Sequence, residues 1–286
     1  MIQKLKILLI ILFTLTVAEN FAAKNNSFNN RLKMITEEIQ IKYIGGPTIY
    51  IEIAGIKFIT DPTFDPKDTY YDLGKYKLHK EYTSLATLSS IGEIDYVLLS
   101  HDHHFDNLDK EGRKVLPKAK KVFTTEIGAE RLKGNAIGLR NWQKIEVPTK
   151  DERIIQITGT PCRHGPINGD RGPVTGFILN FKDKPNEVVY ISGDTVYYNE
   201  IDNIIARYNI KLAVLFLGRA VVKEVGNEPL TMTIDESIKF AKKVNCPIVP
   251  LHFEGWEHFT ETKDLLIKRY QEEGLEKQLR FANAYK

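Results

Sequence analysis

Apolar and polar residues alternate in three short runs near the beginning of the chain, at residues 41–44, 48–53 and 56–59. A period of two is typical of strands that bury one face. A Gly-Gly-Pro sequence and an Ala-Gly sequence separate the runs, and both are typical of turns. The pattern therefore predicts a β-meander of three strands.

Further apolar runs alternate with amphipathic segments along the rest of the chain. They predict strands at residues 95–100, 120–124, 144–147, 154–157, 174–181, 188–191, 212–217 and 248–251. They predict helices at residues 127–132, 200–208, 234–244 and 263–273, with another beginning within 109–115. Strands in two batches, each followed by helices, predict two sheets packed face to face with helices outside. Residues 62–94 show no clean period and predict a long surface loop.

The first residues of the chain differ in kind from the rest. Lys4 and Lys6 precede an apolar stretch at residues 7–18, and Ala22 and Ala23 follow it. This charged, apolar and cleavable order is typical of a secretory signal. The apolar stretch is shorter than the roughly 20 residues that a membrane-spanning helix needs.

The domain organisation follows from that beginning. We predict a signal peptide at residues 1–23, a lead-in segment at 24–39 and one domain at 40–286. The mature protein is then expected to be exported, to a periplasm or beyond. If the signal is not cleaved, it is instead expected to anchor the protein to a membrane.

Composition and charge narrow the range of partners. The chain has 286 residues, 42% of them hydrophobic, which is enough for a sizeable core. Its formal net charge of +3 is too small to favour nucleic acid as a partner. We therefore predict no nucleic-acid binding, and the sequence does not fix an oligomeric state.

The densest candidate chemistry lies directly after the apolar run at residues 96–100. Three imidazoles and three carboxylates fall within the nine residues 101–109. A solvated turn is one reading of this segment, because Asp and Asn are common in turns. However, His164, Asp194 and His252 also stand where predicted strands meet their loops. Donors brought together from four such positions predict a metal site.

The motifs around these donors resemble those of metallo-β-lactamase-fold hydrolases. The resemblance is to the branch that contains ascorbate-6-phosphate lactonases and the N-acyl phosphatidylethanolamine phospholipase D. The matching stretches are residues 43–46, 60–62, 98–101, 160–166, 192–195 and 249–252. They appear in the family's order from about residue 41 to the end. The resemblance implies an α+β fold, a four-layer αββα sandwich, for a hydrolase domain at residues 40–286.

The family's main motif, His-x-His-x-Asp-His, is altered in this chain. In one register His101 and His103 are the first two ligands, and one extra residue precedes Asp106. In the other, His104 aligns without a gap before Asp106, and Asp102 or a shifted His101 takes the first position. The second register is preferred for His104 because it spaces Asp106 correctly. In both registers, Asn107 replaces the family's last histidine.

The resemblance also implies how the ligands divide between two metals. Two imidazoles of the 101–104 run and His164 are expected to hold the first, and Asp106 and His252 the second, with Asp194 bridging. Three imidazoles and an open position suit Zn²⁺, while the carboxylate-rich second site also suits Mn²⁺ or Fe. Loss of an imidazole at Asn107 is expected to weaken the second site, so one-ion and two-ion function both stay open.

The expected activity is hydrolysis of an ester, lactone or phosphodiester bond by metal-bound hydroxide, with Asp106 or Asp194 as the catalytic proton acceptor. A small molecule or a lipid is the expected substrate. One alternative is an exported phospholipase D-like phosphodiesterase acting at a membrane surface, which an exposed apolar or aromatic patch in residues 62–94 would favour. The other is a metal-dependent binding protein without catalysis.

Four further side chains could either serve the site or have only a structural role. Asp61, before Pro62, either forms a turn or orients a ligating imidazole. Arg163 either binds an anionic substrate group or makes a local salt bridge. Trp256 and His258 either line the pocket, with His258 as a proton donor, or only pack.

Overall fold

The computed structural model of the chain describes residues 39–168 and 171–285. The predicted signal peptide, and all of the predicted lead-in except its last residue, lie outside these ranges. Within them, no helix combines the length and the apolar character that a membrane crossing requires.

The first sheet has seven strands and contains the predicted meander. Its strands are β1 (Ile39–Gly45), β2 (Thr48–Ile53), β3 (Ile56–Thr60), β6 (Tyr96–Leu98), β7 (Lys121–Thr125), β8 (Ala136–Leu139) and β15 (Asn283–Ala284). Their order across the sheet is β15-β1-β2-β3-β6-β7-β8. β1, β2 and β3 pair antiparallel, which confirms the meander. β3, β6 and β7 are parallel, so their carboxyl ends meet at one edge.

The second sheet has six strands. They are β9 (Lys144–Pro148), β10 (Ile154–Pro161), β11 (Thr175–Phe181), β12 (Glu187–Ile191), β13 (Asn209–Phe216) and β14 (Ile248–Leu251). Their order is β14-β13-β12-β11-β10-β9. β10, β11 and β12 alternate in direction, and β12, β13 and β14 are parallel. The carboxyl ends of β10, β12 and β14 therefore share one edge.

Helices flank the sheets, mostly where the sequence predicts them. They are α1 (Glu126–Leu132), α2 (Asn199–Arg207), α3 (Ile234–Lys243) and α4 (Lys263–Glu272). α3 begins with a capping box, in which the side chain of Thr233 accepts from the Glu236 amide and the Glu236 carboxylate accepts from the Thr233 amide. The helix expected to begin within residues 109–115 is only two short 3₁₀ turns, Gly112–Lys114 and Leu116–Lys118.

The alternation along β13 shows how the layers form. Leu212, Val214 and Phe216 enter the core between the two sheets, while Ala213 and Leu215 pack on the other face with residues of α2, α3 and α4. A third apolar cluster covers the outer face of the first sheet with the 3₁₀ turns. Burying each such large side chain stabilises the fold by about 1.5–3 kcal/mol. The predicted four-layer αββα sandwich is confirmed.

The prediction of a surface loop at residues 62–94 is wrong in part, because the segment contains a hairpin. Its strands are β4 (Thr69–Asp72) and β5 (Lys77–Lys80). Lys80 is fully buried, with Nζ 3.1 Å from Oδ2 of Asp109. The Asp109 carboxylate also accepts from the amides of Asp65 and Gly112. Because each buried charge has its partner, this ion pair fastens the hairpin to the domain beside the predicted site.

Candidate metal centre

The predicted donors lie at the edge where the carboxyl ends of the strands meet. His101 follows β6, His164 follows β10, Asp194 follows β12 and His252 follows β14. All four side chains are buried. Donors about 150 residues apart in the sequence are thus brought together by strand direction alone.

Three imidazoles form the first cluster of donors. Nε2 of His101 lies 3.0 Å from Nδ1 of His104, which lies 3.2 Å from Nε2 of His164. Donors in a tetrahedral site with bonds of 2.0–2.1 Å are about 3.3 Å apart. Nδ1 of His104 therefore lies near ligand spacing from the nitrogens of both His101 and His164.

His103 is directed differently from its neighbours. Its Nε2 donates to the carbonyl of Arg171 at 2.9 Å. Its other ring nitrogen, Nδ1, is buried without a hydrogen-bond partner among the described residues, and His103 offers a ligand atom within 4.8 Å of those of His101 and His104. His104 is the neighbour that also lies at hydrogen-bond distance from His164, so His103 holds the loop that carries Arg171 and stands beside the cluster.

Asp102, one of the alternatives for the first ligand position, also faces away from the cluster. Its carboxylate accepts a hydrogen bond from Nε of Arg131 at 2.8 Å, and the other guanidinium nitrogen completes a bidentate ion pair. The Asp102 carbonyl accepts from Arg113. These contacts fix the loop outside the donor cluster, as expected of a structural carboxylate.

Hydrogen bonds behind the first cluster set the ring orientations. Nδ1 of His164 lies 2.9 Å from the carbonyl of Leu230, which only accepts, so His164 carries its proton there and leaves Nε2 free. Oγ of Ser100 lies 2.9 Å from Nδ1 of His101 and 2.9 Å from Oδ1 of Asp61. With the hydroxyl donating to Asp61, Nδ1 of His101 donates to the hydroxyl. Nε2 of His101 is then free to bind a cation.

Two carboxylates and an imidazole form the second cluster. Nε2 of His252 lies 3.4 Å from Oδ2 of Asp106 and 3.5 Å from Oδ1 of Asp194. The other oxygen of Asp194, Oδ2, lies 3.7 Å from Nε2 of His164 in the first cluster. Asp194 therefore presents one oxygen to each cluster.

The electrostatics of the two clusters differ. Burial, together with the neighbouring imidazole of His164, lowers the pKa of His104 to about 3, and burial lowers the pKa of His101 well below its usual value. Burial also acts to lower the pKa of His252, but the Asp194 and Asp106 carboxylates outweigh it and raise that pKa to about 10. His101 and His104 are thus neutral imidazoles, while the carboxylates of the second cluster favour a positive charge.

The donor atoms fit bound cations. Oδ2 of Asp194 and both ring nitrogens of His252 are buried without a hydrogen-bond partner among the described residues. Buried polar atoms are almost always satisfied in folded proteins, so a further partner is expected here. Neutral imidazole and ionised carboxylate are the ligand forms that Zn²⁺, Mn²⁺ and Fe bind.

Two side-chain-bearing residues at this edge have a left-handed backbone. Asp61 has a φ of +28° and His252 a φ of +53°, a region that residues with a side chain rarely adopt. Gly193, directly before Asp194, has a φ of +59°, and a Cβ there would lie 2.9 Å from the Thr175 carbonyl. Such strain persists where the surrounding structure imposes it, and it is common at functional sites.

A small cavity opens onto the clusters. Its apolar wall comes from Leu73, Leu78, Phe105, Ala220, Val222 and Leu230. Its polar wall comes from Tyr76, His104, Asp106, His164, Arg171 and His258. The space among these residues is about 20 Å³, room for about one water molecule. The hairpin of β4 and β5 supplies one side of the cavity, through Leu73, Tyr76 and Leu78.

The remaining predicted residues divide between the site and its surroundings. Nδ2 of Asn107 lies 3.4 Å from Oδ1 of Asp194, and Nε2 of His258 lies 3.1 Å from Oδ2 of Asp106. Arg163 stacks on Tyr198 instead of lining the cavity. Trp256 is buried in an aromatic cluster beneath the hairpin, with Tyr71 and Tyr82.

Two cavity residues were missed by the sequence analysis. Arg171 and Tyr76 come from two separate loops that meet at the cavity, where Nη2 of Arg171 is 3.5 Å from the Tyr76 hydroxyl. Arg171 stands in the Gly- and Pro-rich loop at 165–173, and Tyr76 in the turn between β4 and β5. Neither segment carries a periodic signal that would have singled these residues out.

Comparison with known proteins agrees with this geometry. A family model described as beta-lactamase superfamily domain matches residues 57–253. The UPF0173 protein YddR of Bacillus subtilis is 27% identical over 248 residues, which cover 82% of this chain and 94% of that protein. A UPF0173 metal-dependent hydrolase of Caldivirga maquilingensis is 23% identical over 218 residues, which cover 74% and 81%.

A solved structure shares the fold. The isothiocyanate hydrolase from Delia radicum gut bacteria superposes with a TM-score of 0.70 at 22% identity, over 84% of this chain and 95% of that one. The family match spans more than half of the chain and includes the donors on β6, β10, β12 and β14. The chain therefore belongs to the beta-lactamase superfamily, as a metal-dependent hydrolase with the metallo-β-lactamase fold.

Proposed function

We propose that this metal-dependent hydrolase cleaves small carboxylic esters or lactones, using two divalent cations, with Zn²⁺ as the first choice. The observation that carries the proposal is the Asp194 carboxylate, which presents Oδ2 to the imidazole cluster and Oδ1 to the Asp106 and His252 cluster. A carboxylate shared in this way suits a pair of cations acting on one substrate group.

The bound cations would supply Lewis acidity, which lowers the pKa of water to about 7 and polarises the oxygen of the bond under attack. His101, His104 and His164 would hold the first position, and the contacts of Ser100 with His101 and of the Leu230 carbonyl with His164 keep one nitrogen of each of these two rings unprotonated. Asp106 lines the cavity, whereas Asp194 is not among its lining residues. We therefore assign acceptance of the water proton to Asp106.

The cavity wall indicates the substrate class. Six apolar side chains line the cavity and its free space holds about one water molecule, so a substrate with a small apolar group is favoured over one with a long chain. Arg171 and Tyr76, on the polar wall, are placed to bind a carboxylate or carbonyl on the same substrate.

The phospholipase D-like alternative has less support. Two large hydrophobic side chains are exposed within residues 62–94, Tyr70 and Leu85. Tyr70 is stacked on His79, with ring centroids 4.2 Å apart. A lipid-binding surface is expected to present a contiguous apolar patch of several such side chains.

Hydrolysis of three chromogenic probes tests the proposal: p-nitrophenyl acetate, p-nitrophenyl octanoate and bis(p-nitrophenyl) phosphate. We expect the acetate to be cleaved fastest, because the cavity is narrow. We also expect dialysis against a chelator to abolish cleavage and added Zn²⁺ to restore it. Preference for the phosphodiester would overturn the substrate class. Cleavage that survives complete removal of cations would overturn the mechanism, and no cleavage of any probe would favour the binding protein.

A further inference from the structure

A fourth imidazole adjoins the second cluster. Nε2 of His258 lies 3.1 Å from Oδ2 of Asp106, the oxygen that also faces Nε2 of His252 at 3.4 Å. His258 stands six residues after His252 in the loop that follows β14, and its side chain is 7% exposed. Two imidazoles thus converge on one oxygen of Asp106.

The distances match those between ligands of one cation. At bonds of 2.0–2.1 Å, tetrahedral neighbours are about 3.3 Å apart. The measured separations are 3.1 Å for His258 and Asp106, 3.4 Å for His252 and Asp106, and 3.5 Å for His252 and Asp194. Oδ2 of Asp106 thus lies at ligand spacing from the imidazole nitrogens of both His252 and His258, and Asp194 lies at ligand spacing from His252.

The position of His258 is built into the fold. Its carbonyl accepts a hydrogen bond from the Val221 amide at 2.9 Å. The ring of Phe259 packs against both imidazoles, with its centroid 4.5 Å from that of His258 and 4.8 Å from that of His252. A side chain held by backbone and ring contacts needs little ordering to bind a cation.

Asn107, beside Asp106 in the sequence, does not offer a comparable donor. Its Nδ2 lies 3.4 Å from Oδ1 of Asp194 and 3.5 Å from Oγ of Ser100. Both distances fit weak hydrogen bonds from the amide to oxygens at the edge of the two clusters. This leaves His258 as the imidazole that completes the second cluster.

We propose that His258 is a ligand of the second cation, together with Asp106, Asp194 and His252. The inference rests on the proposed two-cation site. The second position would then have two imidazoles and two carboxylates as ligands, and the first would have three imidazoles and the shared Asp194 carboxylate. The two positions therefore differ in the charge that their ligands supply.

The metal content of variants tests whether His258 binds a cation, independently of activity. The full-length protein is loaded with Zn²⁺, dialysed, and analysed by elemental mass spectrometry. We expect two ions per chain for the unmodified protein and about one for the His258→Ala variant. A His258→Cys variant is expected to stay near two, because a thiolate is also a zinc ligand. His79→Ala, which removes a hairpin imidazole outside the cavity, is the control and should keep two.

A second variant separates ligand loss from damage to the fold. We expect the His258→Ala, Asn107→His double variant to regain the second ion, because an imidazole returns beside Asp106. Circular dichroism on each variant reports folding. Two ions in folded His258→Ala protein would overturn the inference, as would one ion in both rescue variants. Fewer than two ions in the unmodified protein would instead count against the two-cation proposal itself.

Discussion

The His104→Ala variant is expected to lose the first cation and to lower kcat/KM by more than the roughly 100-fold typical of changes in the outer shell of a metal site. Nδ1 of His104 faces Nε2 of both His101 and His164, so its loss opens the imidazole cluster. The measurements are metal content and the rate with p-nitrophenyl acetate.

His103→Ala is the matched control, since it removes an imidazole from the neighbouring position. In the unmodified protein, Nε2 of His103 donates to the Arg171 carbonyl. We therefore expect the variant to keep its full metal content and to lose at most about tenfold in rate. If His103→Ala lost the ion and His104→Ala kept it, the first register of the motif would hold and the placement of the cluster would be wrong.

The Asp194→Ala variant is expected to bind both cations more weakly and to lose most of its activity. Asp194 presents one carboxylate oxygen to each cluster, so its removal should weaken both positions together. We expect metal content to fall below one ion per chain, and kcat/KM to fall by more than about 100-fold. Elemental analysis and the same rate assay check both expectations.

An exposed carboxylate provides the control for that variant. Asp68 lies on the hairpin side of the domain, where it pairs with His79. We expect Asp68→Ala to keep both ions and the full rate. Loss of only one ion from Asp194→Ala would show that Asp194 serves one cluster and would contradict its bridging role.

Most of the fold could be predicted from the sequence because burial imposes a period on the strands. β2 and β13 alternate between two apolar clusters, and that alternation is visible in the residues themselves. The hairpin of β4 and β5 was not predicted, because its Tyr, Lys and Asp residues read as a solvated loop. Lys80 is buried only because Asp109, 29 residues away, neutralises it, and no local pattern reveals such a pair.

The candidate site was predictable in its donors but not in its details. The strand ends pointed to His101, His164, Asp194 and His252, since buried strands followed by polar donors are recognisable in sequence. Spacing alone could not decide between His103 and His104, because the path of the loop determines which ring turns inward. The sequence likewise left open whether His258 lines the pocket or only packs, because its approach to Asp106 depends on tertiary contacts.

Anomalous diffraction from crystals of the zinc-loaded protein, recorded at the zinc edge, would locate the bound cations. Two peaks are expected in the anomalous difference map. One should lie among His101, His104 and His164, and the other beside Asp106 and His252, with the Asp194 carboxylate between them. A map without peaks at these side chains, or with its only peak elsewhere on the protein, would show that these residues do not form a two-cation site.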